Sequence, residues 1–175
     1  DEPYDLDITR PRVRDLVVTE LVRASVECVH LHHWATTSCA VLRASRAAGI
    51  PGIATLHDVW TTCPRFFRRP PAGIVCPHGT SRVPCAPCVQ KDLPGLDDAA
   101  ARARIAARDA DLRAELGAAR ALTVPSEDCR RRIAATLPWT GSIEVVPHGL
   151  LEPVRDEPRE PGRPGVLRAG SFGNL

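Results

Sequence analysis

Ile53-Ala54-Thr55-Leu56-His57-Asp58 is a short apolar run that stops on a histidine and an aspartate. It lacks clean apolar–polar alternation, which predicts a parallel strand covered on both faces. Just upstream, Gly49 and Pro51 stop a helix read from Ser38 to Ala48. Before it, Cys28-Val29-His30-Leu31 is a short β-rich run, and Val13 to Ser25 is an amphipathic helix with Val13, Leu16, Val17, Leu21 and Val22 near helical spacing.

Downstream of Asp58 the periodicity disappears. From Cys63 to Leu93 proline, glycine and cysteine dominate, so this insert is expected to be held by something other than a hydrophobic core. Order returns with an Ala/Arg helix from Asp97 to Leu116, which places Ile105, Leu112 and Leu116 on one side and ends at Gly117. Ala121–Val124 is the next strand, and Ser126 caps a helix from Glu127 to Thr136 whose two leading acids suit the helix dipole. Ile143–Val146 closes the series. Helices alternating with apolar strands predict an α/β, Rossmann-like parallel sheet of about four strands, doubly wound, with right-handed crossovers and flanking helices. Residues 1–150 form that unit and 63–93 its Cys-rich insert. Residues 151–164, rich in Pro, Arg, Glu and Asp, read as a linker, and 165–175 as the start of a second domain.

The bulk composition narrows the function classes. A chain of 175 residues, 43% hydrophobic, supports one domain with a core. Its 23 basic and 21 acidic residues leave a net charge of +2, too weak a field to argue for nucleic acid. No stretch reaches the ~20 apolar residues of a membrane span, and the acidic start is unlike a signal peptide, so the chain reads as cytoplasmic. Seven cysteines in a reducing compartment point to thiols or metal ligands, not a disulfide frame. The chain contains no methionine, which fits a piece of a longer product.

In open α/β sheets ligands sit beyond the carboxyl ends of the strands. His32 and His33 follow the first strand, His57 and Asp58 the second, and His148 the last, so four of the six histidines, with Asp58, converge on one edge by topology. In the insert, Cys63, Cys76 and the Cys85-x-x-Cys88 pair, with His78 as a spare donor, suit a tetrahedral structural zinc, whose binding would fold the loop. Free thiols, an iron–sulfur cluster, or redox chemistry at Cys85 and Cys88 are the alternatives, the last disfavoured because no helix start follows them. Cys28, Cys39 and Cys129 are expected to pack as small apolar groups. Arg65-Phe66-Phe67-Arg68-Arg69 mixes cations and aromatics beside the expected cleft and suits an anionic or lipid-linked acceptor, with peripheral membrane contact. No Gly-x-Gly-x-x-Gly or Walker loop is present, and Gly170-Ser171-Phe172-Gly173-Asn174 comes closest. Glu152 and Glu160 have the spacing of a glutamate pair but lie in the linker, where the match reads as chance.

As a set, Val29-His30-Leu31-His32-His33, Gly49-Ile50-Pro51, Thr55-Leu56-His57-Asp58-Val59-Trp60, Cys63-Pro64-Arg65, Val124-Pro125-Ser126, Val146-Pro147-His148-Gly149 and Gly170-Ser171-Phe172-Gly173-Asn174 resemble, in order, the landmarks of family 4 glycosyltransferases of the GT-B fold. The cysteine insert is similar to that of one subgroup. The resemblance implies a retaining enzyme of two Rossmann-like domains, with acceptor on the N-terminal one and a nucleotide sugar on the C-terminal one, and without a catalytic metal. It implies that His57 contacts the transferred sugar without acting as nucleophile, and that Ser126 and His148-Gly149 occupy cleft and hinge positions. The family's first strand with its glycine-rich loop, and most of its donor-binding domain, have no counterpart here, and Asn174 stands near where many members carry a donor-binding arginine. By that resemblance this piece alone is expected to be inactive. The other reading is a zinc-stabilised Arg-rich module binding a protein or nucleic acid through Arg65, Arg68, Arg69 and Arg130 to Arg132, and a third is a metal-dependent hydrolase using the strand-end histidines.

Overall fold

The computed structural model describes residues 6–34, 37–65, 76, 85–135 and 141–149. Their elements run α1 (Pro11–Arg23), β1 (Val29–Leu31), α2 (Val41–Ala47), β2 (Gly52–Thr55), a 3₁₀ turn (Trp60–Thr62), α3 (Cys85–Asp92), α4 (Asp98–Leu116), β3 (Ala121–Val124), α5 (Glu127–Ala134) and β4 (Ile143–Val145). The described strands make one parallel four-stranded sheet in the order β1-β2-β3-β4, with Leu31 beside Ala54, Ala54 beside Leu122, and Val124 beside Val145. The α/β Rossmann-like class expected from the alternation is what forms.

Two details of that expectation change. The described strands follow chain order with no reversal, so they are not doubly wound, and right-handed crossovers stepping in one direction place their helices on one face. Burial agrees. Leu31, Ala54, Leu122 and Val124 are buried, while His30, Ile53, Ala121, Thr123 and Glu144, of the opposite parity, stay partly or fully exposed. Among the described residues the apolar packing of β2 therefore lies on one face, and on the other only Thr55 is buried, bonded to His30 and Thr123.

The main core gathers Leu31, Trp34, Leu42, Leu56, Trp60, Leu112, Leu116, Leu122, Val124 and Ile133. Each fully buried aliphatic side chain there contributes roughly 1.5–3 kcal/mol. Ile105, expected beside Leu112 and Leu116, is buried but belongs to a second cluster with Leu6, Ala86, Val89 and Ala101, against which Cys85, Cys88, Leu93 and Leu96 pack. This corrects the view of the insert as lacking a core. Its end is a helix that begins at Cys85, and its Ala86 and Val89 lie three apart on one face against α4. Pro87 reads as a breaker in sequence, but in a first helical turn it removes no helical hydrogen bond.

The stops are local chemistry. Gly49 adopts φ +82°, and the N–H groups of Gly49 and Ile50 bond to Arg46 and Ser45 carbonyls at 3.0 and 2.9 Å, a complete left-handed cap on α2. Ser126 caps α5 by accepting from Cys129 N–H at 3.2 Å, and Asp97 caps α4 by accepting from Ala100 N–H at 2.7 Å. α1 departs from expectation, since it buries none of its residues, and Leu16 and Val22 are 65% and 54% exposed. Cys28 is also exposed, whereas Cys39 and Cys129 are buried as expected.

Candidate functional site

β1 and β2 end level with one another, so the residues that follow them meet at one sheet edge, and the chain leaving β4 returns to it. His32 Nδ1 lies 2.8 Å from His57 Nε2, one hydrogen bond between the two rings. On its other side His57 stacks on His148, with centroids 5.2 Å apart and planes within 3°. His30 sits 4.0 Å from His32 by ring centroid and bonds through Nε2 to Thr55 Oγ1 at 2.8 Å, and Thr55 in turn bonds Thr123 Oγ1 at 2.8 Å. His33 Nε2 lies 3.6 Å from Asp58 Oδ2, and its ring meets Trp60 at 5.2 Å. His30, His32, His57 and His148 are thus one contiguous group, with His33 beside it against Asp58 and Trp60.

Desolvation lowers the pKa of His57, and its neighbours His32 and His148 lower it further, against an opposing pull from Asp58. His30 is lowered by desolvation and then by His32. The crowding therefore favours neutral rings, which offer hydrogen bonds and a flat face, not a fixed positive charge.

The loop carrying His57 is set from beneath. Asp58 Oδ1 accepts from Trp60 N–H at 2.7 Å, turning the chain sharply after the histidine. Trp60 is 1% exposed, Arg108 Nη2 donates to its carbonyl at 2.6 Å, and the guanidinium lies 4.7 Å from its ring centroid. Trp34 stacks on Trp60 at 5.9 Å and 9°, and donates through Nε1 to Glu115 Oε1 at 3.0 Å. Glu115, fully buried, also accepts from the N–H groups of Leu42 at 2.8 Å and Arg43 at 3.2 Å, so a carboxylate from α4 caps the start of α2. Cys129 Sγ donates to Leu56 O at 3.5 Å, immediately before His57. Sequence reasoning missed Trp34, Arg108 and Glu115. The one available signal was their place among apolar residues, with Arg108 and Glu115 on the helical face of Ile105 and Leu112.

The other expected residues divide. Ser126 is committed to capping α5. Gly149 is exposed, with open space where a Cβ would stand. Arg65 is half-buried at the end of the described loop, its N–H donating to Cys63 Sγ at 3.4 Å. All seven cysteines are unbridged thiols. Among the described residues no group of three or more His, Cys, Asp or Glu is arranged to hold a metal ion. Cys85 and Cys88 open α3, whose start overturns the absence of a helix there. Phe66, Phe67, Arg68, Arg69, His78, Glu152, Glu160, Gly170 and Gly173, the linker 151–164 and the segment 165–175 lie outside the described residues. No described helix is long and apolar enough to cross a membrane.

Neither the curated proteins nor the solved structures include a match to this chain. The family description Glycosyltransferase Family 4 matches residues 5–150, a span that holds the whole described sheet and every histidine of the cluster. With the parallel sheet and the His57 edge in place, that match carries the conclusion that the chain belongs to glycosyltransferase family 4.

Proposed function

We propose that residues 1–150 form the acceptor-side wall of a retaining glycosyltransferase, which moves a sugar from a nucleotide-sugar donor held by a following domain to a lipid-linked or small-molecule acceptor. The observation that carries this reading is the position of His57, at the carboxyl end of β2 and between His32 and His148. A neutral imidazole there serves as a hydrogen-bond partner for a hydroxyl of the transferred sugar. His57 orients that sugar, while His33 and Asp58 flank it. Stabilisation of the departing nucleotide diphosphate falls to the donor domain.

Calorimetry with a nucleotide sugar tests the division of labour. A chain extended through the donor domain should bind the nucleotide sugar, and the 175-residue chain should not. Equal affinity for the two would refute the assignment. In the extended chain, His57→Ala should lower kcat/KM by roughly 10²-fold, the scale of one lost transition-state contact.

Nothing observed favours an Arg-rich nucleic-acid module. Arg130, Arg131 and Arg132 lie 2.7, 3.2 and 2.6 Å from Glu127, Asp128 and Asp128, so the basic run on α5 is paired with acids on the same helix.

A further inference from the structure

We propose that His32 is a positioning residue for His57: it occupies His57 Nε2, fixes the tautomer of that ring, and leaves Nδ1 as the nitrogen that meets the sugar. The inference rests on the proposed function for its last step, and on geometry for the rest.

The two nitrogens stand 2.8 Å apart, so one hydrogen lies between them. With both rings neutral, their tautomers must be complementary, one donating and the other accepting. His57 has one described hydrogen bond, the edge-to-edge bond to His32, and its described ring-face contact is with His148 at 5.2 Å. Stacking holds the plane of the ring but does not distinguish its nitrogens, since a half-turn about the Cβ–Cγ bond restores the same plane. Only the bond to His32 makes the distinction.

His32 is itself held. Its ring leans on His30 at 4.0 Å, and His30 is tied to β2 by Thr55, which is tied to β3 by Thr123. A file of hydrogen bonds and ring contacts thus runs across three strands on the open face of the sheet and ends on His57. The lowered pKa values of His30 and His57 accord with neutral rings at these two positions.

Nitrogen-15 NMR of the histidine rings in the full chain, at neutral pH and above, tests the proposal without any transfer assay. Wild-type His57 should show one tautomer, with a scalar coupling across the shared hydrogen to His32. His32→Phe, which keeps a ring and removes the nitrogen, should lose the coupling and give His57 shifts averaged between tautomers. His32→Gln, whose amide can donate to or accept from that nitrogen, should return a hydrogen bond to His57 Nε2. His148→Phe, which alters stacking alone, should leave the tautomer as in wild type. An unchanged His57 tautomer in His32→Phe overturns the proposal, as does an equal disturbance in His148→Phe. If His32→Phe does not fold, a wild-type spectrum with averaged His57 shifts overturns it by itself. A chain that passes these tests yet fails to support sugar transfer when extended would sink the proposed function and leave the positioning role intact.

Discussion

Replacing Glu115 with alanine should lower the urea midpoint of this chain by about 2 M, with a slope near 2 kcal/mol/M. The carboxylate is fully buried and accepts from Trp34 Nε1, Leu42 N–H and Arg43 N–H at 2.8 to 3.2 Å. Arg43 Nε approaches at 3.4 Å. Arg43 keeps other partners when Glu115 is lost, since its side chain is 34% exposed and also donates to Cys39 O and Asp111. Leu42 and Trp34 do not, because both residues are buried, at 1% and 3% exposure. A stranded buried donor costs about 1–3 kcal/mol. Two such donors, one of them the lost cap of α2, together cost about 3–5 kcal/mol, a large share of the stability of a domain this size. Glu115→Gln keeps an acceptor for Trp34 and Leu42 but turns an amide N–H₂ toward the Arg43 donors, and should cost about 1–3 kcal/mol. Equilibrium urea unfolding followed by tryptophan fluorescence reads both variants, and Trp34→Phe in each background should reveal coupling near 1 kcal/mol. A Glu115→Ala midpoint within about 0.5 M of wild type at equal slope would refute the reasoning.

Arg108→Met removes the bond to Trp60 O and the cation over its ring, and should destabilise by about 2–3 kcal/mol while broadening the His57 signals in NMR; wild-type stability with sharp signals would mean that Arg108 does not set the loop. Gly52→Ala places a Cβ 2.6 Å from Leu42 Cδ2, and because Leu42 is buried the variant should lose about 1–3 kcal/mol in thermal or urea unfolding. The pH dependence follows from His30 and His57, both lowered in the folded chain below the unfolded value of about 6.5. The unfolded state takes protons first, so their contribution is complete above that value and is lost as pH falls through it toward the folded values. Urea midpoints should therefore drop on acidification across that window, less so in the His30→Phe/His57→Phe double variant, and a midpoint that rises there would contradict the assignment. His30, His32, His148 and Asp58 are the titratable groups that act on His57.

Much of this was legible in the sequence because it depends on short-range pattern. The run ending at His57 reads as a strand, Gly49 and Ser126 read as helix ends, and strand-end histidines are placed on one edge by the rule for parallel sheets. The insert shows where composition misleads. Its lost periodicity read as a loop without a core, yet Cys85 and Cys88 open a helix that packs by Ala86 and Val89 against α4.

By itself, then, the sequence determined the alternation of helices and strands, the stops that punctuate it, and which residues follow each strand, since each of these is set by backbone preferences within a few positions. Only the tertiary structure decided the rest. Whether β2 is covered on one face or two depends on the direction in which strands are added. The burial of Arg108 and Glu115 on a helix that looks solvated depends on an acceptor presented by the 3₁₀ turn and on donors presented by α2, which are remote in the chain. That His57 meets His32 through one particular nitrogen depends on a 2.8 Å distance across two strands, and no spacing along a chain specifies that.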